Sequence, residues 1–483
     1  MLHLNSVAKL SLCQVALTTL LVAQLPITRG DIVVLRVGDA TLPLSSAAQA
    51  TFLDEYTQTG VLVQSIPVPT VVNGINLPCT NSGTSTSEGH LNVSPDGSFF
   101  TFGGYSAAPG TAGITTSASI TVPRVIARVD NLGYVDTSTS INNAFSAGNI
   151  RSVATDNGVQ FWASGSNSGV QYSTYFTSTS TSASTGLPTN LRDLGIYNGQ
   201  LYCSSGSGAF QGVCSVGIGL PTAPTTITLL PGFPTVAGAQ STYDWFFSDP
   251  NTCYVTSDSA IGGGIQKWTF LAGTWTLAYT LVPTGTLTRY LSGMVQNGVV
   301  TLYATTTQTS ANTIVSVVDA GVGSTFTVIA SAVPNTVLRG IRIAGPRGYV
   351  SYSGTGSPTT FGIPTIYTLG GLPNIGNASF ALASGNMPAF SIGFMVIGLG
   401  NLLPSGIPIP GAAATAFLYV NPIASTNLLI TDATGAATIA FGLPLLPGFV
   451  GIQLGAQTIA FDPLLPDPLP LGTSNGMQVT IGQ

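Results

Sequence analysis

Residues 88–104 read EGHLNVSPDGSFFTFGG. An apolar strand enters the Pro95-Asp96-Gly97 turn and returns as a second strand rich in phenylalanine and threonine, residues that suit a pleated, half-buried surface. The same hairpin recurs at 150–165 (IRSVATDNGVQFWASG), 191–206 (LRDLGIYNGQLYCSSG), 289–306 (RYLSGMVQNGVVTLYATT) and 338–354 (LRGIRIAGPRGYVSYSG). A further copy at 243–257 (YDWFFSDPNTCYVTS) carries Pro250-Asn251 at its turn. Asn-Gly and Asp-Gly predict two-residue connections, in which both residues take positive φ.

Between these hairpins lies a second kind. Residues 124–140 (RVIARVDNLGYVDTSTS) turn at Asn131-Leu132-Gly133, residues 264–281 turn at Ala272-Gly273, and Thr313 begins another. Each unit thus holds four short strands, and units recur about every 40 to 60 residues, the length of a propeller blade. The predicted fold class is all-β: a β-propeller of six blades over 31–372, with seven as the alternative because 359–369 offers more strand. The last repeat, near Leu338 to Ser353, is expected to supply two strands. The N-terminal segments 33–39 (VVLRVGD) and 61–69 (VLVQSIPVP) are expected to supply the other two, closing the ring and removing its open edges.

The composition sets further bounds. A chain of 483 residues exceeds one ordinary core. Charged residues make up 6%, lysine occurs only at Lys9 and Lys267, and the net charge is −5. So few cations cannot neutralise a run of phosphates, which excludes nucleic acid as a partner, and a polybasic membrane patch is excluded likewise. Residues 1–30 read as a cleaved signal peptide: Lys9, a mostly apolar stretch from Leu10 to Leu25, and Thr28-Arg29-Gly30 before Asp31. Beyond it, no apolar run reaches the roughly 18 residues of a transmembrane segment. The expected location is secreted or at the cell surface. Cys79, Cys203, Cys214 and Cys253 remain, an even number that suits disulfides in an exported chain. Cys203 and Cys214, on neighbouring strands, are the expected pair, with four free buried thiols as the alternative.

A second domain is expected over 373–483, where strand-like runs alternate with proline-rich joints. From Gly348 onward there is no lysine or arginine, and the acids are Asp432, Asp462 and Asp467. This pattern predicts a small β-sandwich open to self-association, since little charge repels a second copy.

Several ordered strings carry a resemblance. IVVLRVGD (32–39), FLDEYT (52–57), GTSTSEGHLNVSPDG (83–97), GGYSAAPGTAG (103–113), IYNGQLYCSSGSGAFQGV (196–213) and GGGIQKWTFLAGTWTL (262–277) resemble a family of secreted bacterial β-propeller proteins without an established activity. NIGNASFAL (374–382), LITDATGAATIAFGLP (429–444) and SNGMQVTIG (474–482) resemble a C-terminal β-sandwich of secreted proteins from planctomycete-type bacteria. The resemblance implies a propeller and export, and transfers no catalytic residues.

For chemistry, histidine is the sharpest filter. Only His3 and His90 exist, so multi-histidine metal sites are excluded, and His90 reads as a satisfied strand histidine. No cofactor or metal is predicted. Aligning the repeats at the start of the first strand brings Glu88, Arg151, Arg192, then Asp244 or Trp245, then Arg289 and Arg339 to one equivalent position. In a propeller that position lies at the mouth of the central channel, so the predicted site is a partial ring of guanidiniums suited to a carboxylate or sulfate. The alternative is that each arginine ties its blade to a neighbour. Trp245, with Tyr243, Phe246, Phe247, Trp268 and Trp275, offers an aromatic surface that stacks on sugar rings if exposed or forms core if not. The expected function is an exported ligand-binding or scaffold module for an anionic glycan or envelope component. The alternative is a hydrolase or lyase acting at the channel mouth through Glu88.

Overall fold

The computed structural model describes residues 24–482 apart from 96, 198, 297–298, 345–347, 375–376, 422–424, 445–448 and 450–451. Among the described residues, six radial sheets, antiparallel except where Ser184–Thr185 adds in parallel to the edge of the third, make a β-propeller. The first strands of the blades are Asn92–Val93, Ile150–Thr155, Leu194–Tyr197, Thr242–Asp249, Thr288–Gln296 and Val337–Ile343. The sequence sets this out locally: β-branched and aromatic residues alternate, and glycine takes the turns, with Gly158 at φ 74° and Gly199 at φ 72°. Tyr197 pairs with Gln200, Asp249 with Thr252 and Gln296 with Val299, the expected two-residue connections, but the second blade's turn is longer. Ile150–Thr155 and Gln160–Gly165 leave 156–159 between them, and Gly158 takes positive φ where Asn157 does not.

The sixth blade joins the chain ends, with a different division of strands from the expected one. Its order is Val337–Ile343, Ile32–Val37, Thr51–Tyr56, Leu62–Pro67, so the C-terminal side supplies one strand and the N-terminal side three. Val33 pairs with Arg342 and Val37 with Val337 across the joint. The expected second strand, Tyr349–Ser353, instead pairs with Gly476–Thr480. Chain geometry accounts for the difference: Thr51–Tyr56, not read as part of the closure, fills the position beside Ile32–Val37. First strands of adjacent blades touch around the ring, including Val337–Ile343 against Asn92–Val93.

Residues 24–30, assigned from sequence to the cleaved leader, pack on this ring. Ile27 is 7% exposed within the core of the first and sixth blades, its N–H donates to Asn131 O at 2.8 Å, and Gly30 N donates to Ala344 O at 2.9 Å. A cut after Gly30 would strip apolar surface from that core. The remainder of the leader, 1–23, lies outside the described residues.

The C-terminal part is a β-sandwich. One sheet runs Tyr349–Ser353, Gly476–Thr480, Gln453–Phe461, Ile392–Leu399, Thr426–Ile430, and the other Thr365–Leu369, Ala381–Gly385, Ala437–Ala440. Met395, Ala456, Met477 and Val479 of the first sheet share a core with Ile366 and Leu382 of the second. Two strands before residue 373 thus belong to these sheets by hydrogen bonding. Among the described residues, no helix is long and apolar enough to cross a membrane.

Candidate functional site

Six main-chain carbonyls fix the register of the ring. Gly340 N donates to Gly89 O at 2.9 Å, and His90 N to Arg151 O at 3.0 Å. Ser164 Oγ donates to Arg192 O at 3.0 Å, Ser204 Oγ to Tyr243 O, Thr256 Oγ1 to Arg289 O, and Thr305 Oγ1 to Arg339 O at 3.1 Å. Each donor stands on the blade before its acceptor. The equivalent positions are therefore Gly89, Arg151, Arg192, Tyr243, Arg289 and Arg339. Two of the sequence assignments shift by one or two residues: Glu88 gives way to Gly89, and Asp244 or Trp245 to Tyr243.

In the fourth blade the cause is a β-bulge, one of several around the ring. The ladder slips between Ile150 and Ser152, between Thr242 and Trp245, between Thr288 and Tyr290, and opposite Leu35 between Leu338 and Ile341. In each, two residues face one on the partner strand, which releases a carbonyl to the preceding blade and re-aims the bulged side chain.

Four arginines of this ring have different surroundings. Arg339 is 3% exposed and donates to Ser82 O, with Nη1 3.8 Å from Glu88 Oε2. Arg289 pairs with Asp258 at 2.9 Å and donates to Thr307 O at 2.7 Å. Arg151 donates to Asn190 Oδ1 at 2.6 Å and Leu191 O at 2.8 Å, both neutral acceptors. Arg192 lies over the Tyr243 ring, its Cζ 3.8 Å from the centroid, and its buried Nη1 has no hydrogen-bond partner among the described residues. Arg289 approaches the same ring at 5.5 Å. Among the described residues, neither Arg151 nor Arg192 has a carboxylate within salt-bridge distance. Burial, with the neighbouring Arg192 charge, pushes Arg151 down to about 10. A small cleft beside the rim is lined by Thr84, Ser85, Thr86, Arg289, Tyr290 and Arg339.

Deeper in the channel lies a cluster that sequence reasoning missed. Arg342 of the sixth blade reaches Asp244 (Nη1–Oδ2 2.9 Å, Nη2–Oδ1 3.1 Å), Asp193 Oδ2 at 3.3 Å and Asn92 Oδ1 at 3.0 Å. Trp245 N and Leu291 N also donate to Asp244, at 2.8 and 3.0 Å. Burial pushes the Asp244 carboxyl up to about 6, against the pull of Arg342. His90 is fully buried with Nδ1 3.4 Å from Asp193 Oδ1, and among the described residues neither ring nitrogen makes a hydrogen bond, so it is not the satisfied strand histidine expected. Burial holds its imidazole down to about 3.

His90, Asp193 and Asp244 each offer a ligand atom within 4.8 Å of the others, a spacing that would admit a metal ion. The cation standing there is Arg342, and the oxygens of Asp244 already accept four N–H donors. A divalent ion would have to displace that guanidinium, so the residues do not fit one.

Other expected site residues turn inward. Glu88 is 0% exposed and accepts from Tyr105 Oη at 2.7 Å, Ser82 N at 3.0 Å and Asn149 Nδ2, which leaves it no approach to a substrate. Trp245 packs with Phe247, Trp268 and Trp275 in the core between the third and fourth blades, so no exposed aromatic platform forms. Cys203 and Cys214 face each other in the ladder, but all four described cysteines are free. Both thiols lie inside an apolar core.

No family model and no curated protein matches the chain. Among solved structures, it is similar to "a putative 6-phosphogluconolactonase" from Bacteroides uniformis, at 12% identity and TM-score 0.38 over 85% of this chain and 100% of that one. The WD40 domain of Toxoplasma gondii coronin matches at 7% identity and TM-score 0.34, over 84% of each chain. The WD40 β-propeller domain of Doa1 matches at 12% identity and TM-score 0.28, over 48% of this chain and 68% of that one. None of these likenesses bears on activity.

Proposed function

We propose that this propeller is a binding module that takes an anion, such as the carboxylate or sulfate of an acidic glycan, at the arginine-lined rim of its channel. The observation that carries this reading is the adjacency of Arg151 and Arg192, two half-buried guanidiniums without a carboxylate between them. Around the channel the guanidiniums of Arg151, Arg192, Arg289, Arg339 and Arg342 outnumber the carboxylates of Glu88, Asp193, Asp244 and Asp258 by one. Buried like charges are costly, and a bound anion relieves that cost while meeting the open Arg192 donor. The enclosed, fully bonded carboxylate of Glu88 weighs against a hydrolase or lyase working through that residue.

The remaining parts fit an exported scaffold. The apolar 10–25 segment supports export, and the cation-free C-terminal domain supports packing on an envelope component or a second copy. Leu428 (58% exposed) and Ile430 (71%), on the last strand of its larger sheet, offer apolar surface for that contact. Isothermal titration with galacturonate and sulfated oligosaccharides tests the rim. Heat of binding that disappears in Arg192→Ala is expected; the absence of heat with all of them overturns the reading.

A further inference from the structure

His90 stands directly beneath this rim. Its main-chain N–H bonds Arg151 O, and its ring lies 6.4 Å from the Tyr243 ring on which Arg192 rests and 4.7 Å from the Tyr290 ring. An imidazole with no solvent exposure and, among the described residues, no hydrogen-bond partner at either nitrogen is costly to bury. Buried polar groups in native folds are normally hydrogen-bonded, so an exception calls for a cause. Asp193 Oδ1, 3.4 Å from Nδ1, is just beyond a hydrogen bond and also accepts from Ser152 Oγ at 3.0 Å.

We propose that His90 is a further arm of the anion site, and that an oxyanion bound at Arg151 and Arg192 is taken up together with one proton, carried by the His90 imidazole between Asp193 and the ligand. This rests on the rim being the anion site. The charged and titratable groups around the imidazole are Asp193 and Arg192 from the third blade, Asp244 and Tyr243 from the fourth, Arg151 from the second, Tyr290 from the fifth and Arg342 from the sixth. In the free protein burial keeps the ring neutral, and Arg342, Arg192 and Arg151 act in the same direction, while Asp244 opposes them. An anion between Arg151 and Arg192 cancels two of those three repulsions. The imidazole's proton affinity must then rise on binding, and by linkage the anion must bind more tightly as pH falls. The proton comes from solvent, and no bond other than N–H is made.

The test is titration of the full chain with galacturonate at about pH 5.5 and about pH 7.5, in buffers of different ionisation enthalpy. Expected are net uptake of about one proton and affinity up to roughly tenfold tighter per pH unit toward acid. His90→Gln should lose the proton uptake and flatten the pH dependence. Because that variant removes a buried ring, the imidazole proton resonance of His90 in the unaltered chain gives a second readout. It should hold its neutral shift in the free protein and move to the imidazolium shift with galacturonate. Binding without proton uptake and without that movement overturns the role of His90 and leaves the rim standing. No binding at either pH overturns both.

Discussion

Arg342 grips Asp244 with both ends of its guanidinium, Nη1–Oδ2 at 2.9 Å and Nη2–Oδ1 at 3.1 Å, so a strand of the sixth blade is tied to the fourth across the channel. The contact also neutralises part of the charge on Asp193. Arg342→Met leaves both buried carboxylates without their cation and should cost about 3–5 kcal/mol. Denaturant unfolding monitored by tryptophan fluorescence reads this; a loss under about 1 kcal/mol would show that the strut is dispensable.

Glu88 knots the first-blade entry to its neighbours through Tyr105, Ser82 N and Asn149, with Arg339 close by. Glu88→Ala orphans these donors and should destabilise by about 2–4 kcal/mol. If Glu88 served turnover instead, stability would stay near that of the unaltered chain.

The seam between the sixth and first blades has no spare room at Gly340. A Cβ there would stand 2.1 Å from Leu91 N and 2.5 Å from Gly89 O, both main-chain atoms. Gly340→Ala should therefore push the blades apart and lower the melting temperature by several degrees or more, on the order of 2–4 °C per kcal/mol. Calorimetry at matched concentration checks it, and an unchanged melting curve contradicts the seam.

The pH dependence of stability in the ligand-free protein separates two buried groups. His90 is held at about 3 when folded, so the unfolded chain binds its proton first. Its contribution is present above about pH 6.5 and is lost as pH falls toward 3, by at most about 1.4 kcal/mol per pH unit. Asp244, raised to about 6, runs the other way: its contribution is lost as pH rises from about 4 to about 6. The stability difference between the unaltered chain and His90→Gln should grow with pH from about 4 to 6.5 and then level off. A difference constant across that range would mean that His90 keeps its ordinary affinity for protons.

Cys79, Cys203, Cys214 and Cys253 are all fully buried, and burial holds the Cys79 thiol well above its ordinary range. An aromatic disulfide reagent should find none of these four thiols in the folded protein and all of them after denaturation. Detection of a Cys203–Cys214 bridge by mass spectrometry would contradict the free pair.

Much of the architecture was readable along the chain because it rests on neighbours in sequence. The hairpins around Gly97, Gly158 and Gly199, the repeat spacing and the charge-poor C-terminal domain follow from alternation, turn residues and composition. Arg151, Arg192, Arg289 and Arg339 were also readable, since they sit at one offset from each hairpin. The fourth blade slipped by one or more residues because the bulge after Thr242 changes how many residues face Ser257 to Val255. A bulge leaves no mark on hydrophobic alternation over so short a strand.

The sequence by itself determined most of the strands, the repeat spacing and four of the six rim positions, all of which depend on contacts within about 60 residues. Only the tertiary structure decided that one C-terminal strand meets three N-terminal ones, and that His90, Asp193, Asp244 and Arg342 converge on the channel. Those four lie on four different blades, and their meeting is set by how the inner strands pack around a closed ring. No local pattern in the chain encodes that distance.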